Sequence, residues 1–408
     1  METRLVERFR HTPDGIEAEQ ILRTCVHCGF CTATCPTYQV MGDEKDGPRG
    51  RIYLMKQVLE GATPTMATMT HLDRCLTCRN CESTCPSGVK YSHLLDIGRK
   101  VVEAQVERPL AQRFSRGFLI WLIGKRPLFH GLMKTARWLR PVLPAAIQAK
   151  VPVVREVGHW PKRHHAEKVL MLNSCVQGAM LPGVDRATAR VLDRLGVEVI
   201  IDPASGCCGS LKHHLNEHEG ALAEVKRNID AWWPHVARGV DVLLMNASGC
   251  GAMVKDYGHL LRNDPVYAEK AAKISAITQD VIEWLAVRLA ERKPEAPLRT
   301  QKLVFHPPCT LQHGQKIRGQ VEKLLTVWGA ELLPFNESNL CCGSAGVYSV
   351  LEPTISKNLR DRKLGHLESN QPEVILSANV GCIAHLAGGT STPVMHWIEW
   401  IETRLAAA

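Results

Sequence analysis

Apolar positions recur at helical spacing over residues 16–24, 50–61 and 92–107, and nothing in that stretch alternates as a half-buried strand would. The first hundred residues therefore predict helices. Beyond residue 168 the pattern changes to short apolar runs at 169–172, 197–201, 240–245, 303–305 and 374–376, each beside a helical stretch. That alternation predicts α/β structure with parallel strands. Between the two regions, Phe114, Phe118, Leu119, Trp121, Leu122, Phe129, Leu132, Met133, Trp138 and Leu139 are interrupted by Pro109, Pro127, Pro141 and Pro144. Short amphipathic helices broken by prolines are expected there.

The second half repeats itself. Cys175 and Cys207 are 32 positions apart, as are Cys309 and Cys341, and each second position opens Cys-Cys-Gly: Cys207, Cys208, Gly209 and Cys341, Cys342, Gly343. A further cysteine follows in each copy, Cys250 and Cys382, and the copies are offset by 134 residues. Two domains of one architecture follow. The predicted organisation is multidomain, α then α/β: an α-helical domain over 1–107, a basic amphipathic connector over 108–167, and Cys-Cys-Gly α/β repeats over 168–290 and 301–408. The stretch 291–301, rich in proline and charge, joins the repeats.

Cysteine carries the chemistry. The run Cys25-x2-Cys28-x2-Cys31-x3-Cys35-Pro36 recurs fifty positions later as Cys75-x2-Cys78-x2-Cys81-x3-Cys85-Pro86. Three cysteines at this spacing wrap one corner of an iron-sulfur cube, and the fourth, set before proline, is directed to the other cluster. Cys25, Cys28, Cys31 and Cys85 are thus expected to hold one [4Fe-4S] cluster, and Cys75, Cys78, Cys81 and Cys35 a second, in a ferredoxin-like domain. A pair of zinc sites is the competing reading, but zinc needs only four thiolates from two knuckles. In the repeats, Cys175, Cys207, Cys208 and Cys250, and likewise Cys309, Cys341, Cys342 and Cys382, follow the ends of expected parallel strands, where open α/β sheets place ligands. They are candidates for a further cluster or metal; buried inert thiols are the alternative.

Composition and charge narrow the class. With 45% hydrophobic and 22% charged residues the chain is globular in character, and METRLVERFRHTPDG lacks the apolar stretch of a signal peptide. The apolar run 117–124, GFLIWLIG, is far too short to span a bilayer. The net charge of +9 is local: residues 99–168 carry +11 and the remainder −2. That segment can serve a lipid surface, a protein partner or, with the clusters as structural staples, a nucleic-acid arm; its prolines and tryptophans argue against nucleic acid. His214 and His218 are spaced to share a helix face but lack the HExxH glutamate, and the turn Asp46-Gly47-Pro48-Arg49-Gly50-Arg51 is expected either to brace a cluster loop or contact a partner through its arginines, or to be solvated. Neither G-x-G-x-x-G after a strand nor a P-loop is present, so no flavin or nucleotide is expected in this chain. One-electron relays without a hydride acceptor cannot alone oxidise an alcohol.

The runs ILRTCVHCGFCTATCPTYQVMGDEKDGPRGRIYLMKQVLEG and HLDRCLTCRNCESTCPSGVKY, the CCGS segments, NIDAWWP at 228–234 and ASGCGA at 247–252 resemble the iron-sulfur subunits of bacterial glycolate oxidases over essentially the whole chain. More distant is the likeness to iron-sulfur subunits of anaerobic glycerol-3-phosphate dehydrogenase and heterodisulfide reductase. The resemblance implies an electron-transfer subunit with no catalytic residue of its own. Its partners would be a flavin-binding catalytic subunit, oxidising glycolate or D-lactate, and a second flavoprotein-like subunit. Electrons would pass toward a quinone or another acceptor, with the chain cytoplasmic or peripheral on the cytoplasmic face of the inner membrane. In the heterodisulfide reductase relatives each repeat ends in Cys-x-x-Cys and helps bind a non-cubane cluster. Here Met253 and His385 stand at that last position, which weakens the alternative reading, a heterodisulfide-reductase-like catalyst.

Overall fold

In the computed structural model, which describes residues 1–148, 150–153, 157–289 and 299–407, the helix Pro13–Thr24 begins where Thr12 Oγ1 accepts the Gly15 amide at 3.0 Å, with proline at its first position. It ends at Cys25, whose backbone is extended. Helices Pro48–Leu59 and Tyr91–Glu103 follow the other two predicted segments. Their inward faces, with that of the first helix, bury Leu22, Met55, Leu59, Leu94 and Leu95 almost completely. Each such side chain contributes about 1.5–3 kcal/mol. That all-helical core is the body on which the cysteine loops are mounted.

The second half contains two four-stranded parallel sheets. Strands β1 (Glu167–Met171), β2 (Val197–Ile200), β3 (Leu243–Met245) and β4 (Thr278–Asp280) are ordered β2-β1-β3-β4; β5 (Gln301–His306), β6 (Ala330–Leu332), β7 (Val374–Ser377) and β8 (Val394–His396) are ordered β6-β5-β7-β8. The two orders are the same, as the cysteine spacing predicts. Strands β4, β6 and β8 have three residues each, are partly polar and lie at sheet edges. Their brevity is why apolar runs do not reveal them. One core joins the sheets, with Val191, Leu192, Val281, Leu285, Leu325, Trp397 and Ile401 within it.

The chain forms two compact units: Met1–Phe118, His214–Asn216 and Asn339–Lys363 make one, and Leu119–His213, Glu217–Ser338 and Leu364–Ala408 the other. The connector holds the helices Leu110–Gly124 and Arg126–Trp138, then the short turns Arg140–Val142 and Ala145–Gln148. Of the stretch expected to join the repeats, residues 291–298 lie outside the described residues.

Candidate metal centres

The two N-terminal cysteine loops are built alike. Between the first and second cysteines, His27 and Thr77 take left-handed φ values of 60° and 51°; just after the second, Gly29 and Arg79 do so at 88° and 57°. Three of these four are not glycine, so both loops adopt a conformation that L-residues disfavour. The turns coil each loop about a hollow. Cys35 and Cys85, each before a proline, share an extended backbone with φ −82°, ψ 115° and φ −73°, ψ 115°, the conformation proline imposes on its predecessor.

The hollows sort the thiols crosswise. Cys25, Cys28, Cys31 and Cys85 line one, under Phe30, Ile52 and Val89; Cys35, Cys75, Cys78 and Cys81 line the other, with Arg51, Tyr91 and Leu95. Cys81 also reaches the first. All sixteen cysteines are free thiols. Burial pushes Cys31 up to about 11 and raises Cys25 and Cys81, and neighbouring thiols push the same way. Deprotonating four such groups together requires a cation among them, which is what a metal cluster supplies. The residues fit two iron-sulfur clusters.

In the turn 46–51, Asp46 and Arg51 are buried and brace this site, while Arg49 between them keeps a part-exposed side chain. Asp46 is fully buried and accepts from Arg74 Nη1 at 3.0 Å, faces His71 Nδ1 at 3.1 Å and pairs with Arg51 Nη2 at 3.4 Å. Arg51 also donates to His71 O and, at 3.0 Å, to Thr37 Oγ1, which lies 3.2 Å from Cys35 Sγ. Tyr91 Oη is 3.7 Å from Cys75 Sγ. Arg99, buried, donates to the carbonyls of Leu72 and Cys75. His71, Arg74, Tyr91 and Arg99 carry no motif of their own, so the sequence does not announce them.

In the first repeat the structure brings all four cysteines together. Cys175 stands at the start of helix Val176–Met180 after β1, Cys250 in the first turn of helix Ser248–Lys255 after β3, and Cys207 and Cys208 in the loop after β2. The order β2-β1-β3-β4 puts a topological switch between β1 and β3, where crevices form. The thiols of Cys175 and Cys208 donate to Cys207, and Cys208 also pairs with Cys250. Cys207 is therefore held low, while its two partners are raised. Asn228, from the NIDAWWP stretch, fixes the loop through Cys207 O at 2.7 Å and the Gly206 amide at 2.7 Å, and Tyr257 Oη donates to Cys208 O at 2.9 Å. A cavity of about 220 Å³ opens beside Cys207, walled by Ile120, Ile123, Arg126, Lys212, Glu224 and Arg227. Burial, then the adjacent Cys207, raises Glu224 to about 7 although Lys212 lies 3.1 Å away.

Gly209 and Gly343 share φ 87°. Each is a glycine because a helix backbone crosses it: a Cβ would lie 3.1 Å from Ala221 O in the first repeat and 2.5 Å from Ser356 O in the second. In the second repeat Cys309 opens the turn Thr310–Gly314 and Cys382 lies in helix Val380–Ala387, matching Cys175 and Cys250. Cys341 and Cys342 are buried in the segment Asn339–Lys363 of the other unit.

The basic connector is less free than its charge suggests. Arg126 donates to Asn173 Oδ1 at 2.6 Å, Arg137 to the carbonyls of Ala179 and Met180, and Arg140 to Val151 O at 3.1 Å. Arg108 and Arg116 pair with Asp73. Phe114, Trp121 and Trp138 are exposed. Among the described residues no helix is long and apolar enough to cross a membrane. His213 and His218 meet edge to face at 5.4 Å, whereas His214 is exposed and belongs to the other unit.

Comparison with known proteins agrees with this construction. A 4Fe-4S dicluster domain matches residues 21–89, and a cysteine-rich domain matches twice, at 169–255 and 303–387. The chain is 50% identical to the glycolate oxidase iron-sulfur subunit of Escherichia coli K12 over 99% of both chains. It is 30% identical to the probable glycolate oxidase iron-sulfur subunit of Bacillus subtilis 168, over 90% of this chain and 89% of that one. Lactate utilization protein A of Geobacillus thermodenitrificans is 28% identical over 58% of this chain and 99% of its own. With a dicluster domain ahead of two cysteine-rich repeats and full-length identity of this order, the chain belongs to the family of glycolate oxidase iron-sulfur subunits.

Proposed function

We propose that this chain is the electron-transfer subunit of a glycolate-oxidising complex, taking electrons singly from a flavin-bearing partner and delivering them to a quinone or another acceptor. The observation that carries it is the crosswise sorting of eight thiols into two hollows within one helical domain. Bound there, two [4Fe-4S] clusters would each accept one electron and so drain a two-electron donor in steps. Cys25, Cys28, Cys31 and Cys85 would hold one, and Cys35, Cys75, Cys78 and Cys81 the other. Ile52, Val89 and Leu95, all buried, wall the inner sides of the hollows, and left-handed turns coil the cysteine loops around them.

The converging quartet Cys175, Cys207, Cys208 and Cys250 favours a third metal centre in the first repeat, with Asn228 and Tyr257 fixing its loop. The partners would be a flavin-binding catalytic subunit and a second flavoprotein-like subunit, with the complex peripheral at the cytoplasmic face of the inner membrane.

The test is anaerobic mixing of the full chain with the flavoprotein subunits and glycolate, followed by electron paramagnetic resonance. Reduced-cluster signals are expected only when flavoprotein and glycolate are both present. Signals produced by glycolate with this chain alone, or absent from the complete mixture, would overturn the reading.

A further inference from the structure

The two hollows differ in one respect that their cysteine motifs do not share: the charge built into their walls. Arg51 lines the hollow of Cys35, Cys75, Cys78 and Cys81 and is 0% exposed. Its counter-ion, Asp46, is shared with Arg74 and His71. One carboxylate thus faces two guanidiniums. Arg99, 6% exposed, adds a cation that donates to the carbonyl oxygens of Leu72, Asp73 and Cys75. Nearby Asp73 and Glu103 pair with Arg108 and Arg116, and Glu82, next to Cys81, accepts the Ser92 amide at 2.6 Å. Two buried guanidiniums, Arg51 and Arg99, thus stand beside this hollow.

The other hollow has Arg49, whose side chain is 36% exposed and pairs with Glu44 at 2.6 Å. The Met1 ammonium, at the partly exposed rim, donates to Cys25 O at 2.7 Å. Water screens both of these cations, and Glu44 neutralises the first. A one-electron reduction adds negative charge to a cluster. A fixed cation in a low-dielectric wall favours that added charge far more than one in solvent.

We propose that Arg51 and Arg99 are positioning and electrostatic residues that raise the reduction potential of the cluster held by Cys35, Cys75, Cys78 and Cys81 above that of its neighbour. The proposal rests on the eight-cysteine assignment and deepens it: electrons entering the domain come to rest at the Arg51 side. In half-reduced protein the first signal to appear is the one that Cys78→Ser removes and Cys28→Ser leaves.

The experiment is a potentiometric titration of the full-length, anaerobically loaded protein, read by electron paramagnetic resonance, with Arg51→Gln, Arg51→Lys and Arg99→Gln beside wild type. Arg51→Gln is expected to lower the higher midpoint by at least a tenfold change in the reduced-to-oxidised ratio at fixed potential, 59 mV for one electron, with the lower midpoint unmoved. Arg51→Lys, which keeps the charge, should restore it. Arg99→Gln strands carbonyls, so it decides the matter if Arg51→Gln does not load iron, and it should displace the same midpoint downward. Two loaded clusters with both midpoints unmoved, or a Lys variant displaced as far as Gln, overturns the proposal. Zinc, or fewer than two clusters in wild type, would instead defeat the underlying assignment.

Discussion

His27 and Thr77, fifty residues apart, occupy the same left-handed backbone region, with φ 60° and 51°. Two residues on, Gly29 and Arg79 share it as well, but only the first is the residue that suits it. Arg79→Gly should therefore be tolerated, with stability within about 1 kcal/mol of wild type. Gly29→Ala, whose Cβ would lie 2.8 Å from Arg49 Nη1, should cost about 1–2 kcal/mol. Urea unfolding of both variants checks the contrast, and equal effects would contradict the loop geometry.

The crosswise assignment has a spectroscopic consequence. Cys35→Ser should alter the signal that Cys78→Ser alters, and Cys85→Ser the signal that Cys28→Ser alters, because Cys35 lines the hollow of Cys78 and Cys85 that of Cys28. A pairing of Cys35 with Cys28 instead would show that each loop keeps its own fourth cysteine.

Much of this was readable in the residues. Three N-terminal helices, the doubled cysteine run and the repeat of the second half all follow from periodicity and spacing. The bracing of the second hollow does not, because Asp46 and Arg51 look like a solvated turn until His71 and Arg74, more than twenty residues on, close over the carboxylate. Arg126 and Arg137 read as surface charge in a +11 segment, yet the first donates to Asn173 after β1 and the second to the end of helix Val176–Met180. Local sequence carries no record of such distant pairings. Gly209 and Gly343 close the same Cys-Cys-Gly motif, yet the helix backbone that each admits lies at a different distance, which the motif does not record.

That last difference can be measured. Gly343→Ala places a Cβ 2.5 Å from Ser356 O, against 3.1 Å from Ala221 O for Gly209→Ala, at the same φ of 87°. The Gly343 variant should lose about 1–3 kcal/mol more than the Gly209 variant, read as a lower urea midpoint. The reverse order would contradict the packing described.

His396 supplies a pH dependence. It is fully buried, and burial holds its imidazole down to about 3. The unfolded chain binds a proton near pH 6.5 that the native state refuses, so stability falls as pH drops from about 6.5 toward 3. Between pH 6.5 and 4.5 this contributes roughly 2–3 kcal/mol of loss. His396→Gln should show a shallower acid slope by that amount in urea unfolding, and parallel slopes would refute the assignment.

Metal content separates the N-terminal domain from the repeats. Anaerobically purified protein should carry metal beyond the two clusters, and Cys207→Ser should lose that excess alone, since Cys207 is hydrogen-bonded to Cys175 and Cys208. Content unchanged in the variant would leave the quartet as packed thiols.

The central claim, that the chain relays electrons and does not itself oxidise glycolate, is tested most directly by reconstituted turnover. Purified alone and loaded with iron, it should form no glyoxylate from glycolate with an artificial dye, while adding it to the flavoprotein subunits should restore electron delivery to the native acceptor. Glyoxylate from the isolated chain, or full native turnover from a complex lacking it, would contradict the account.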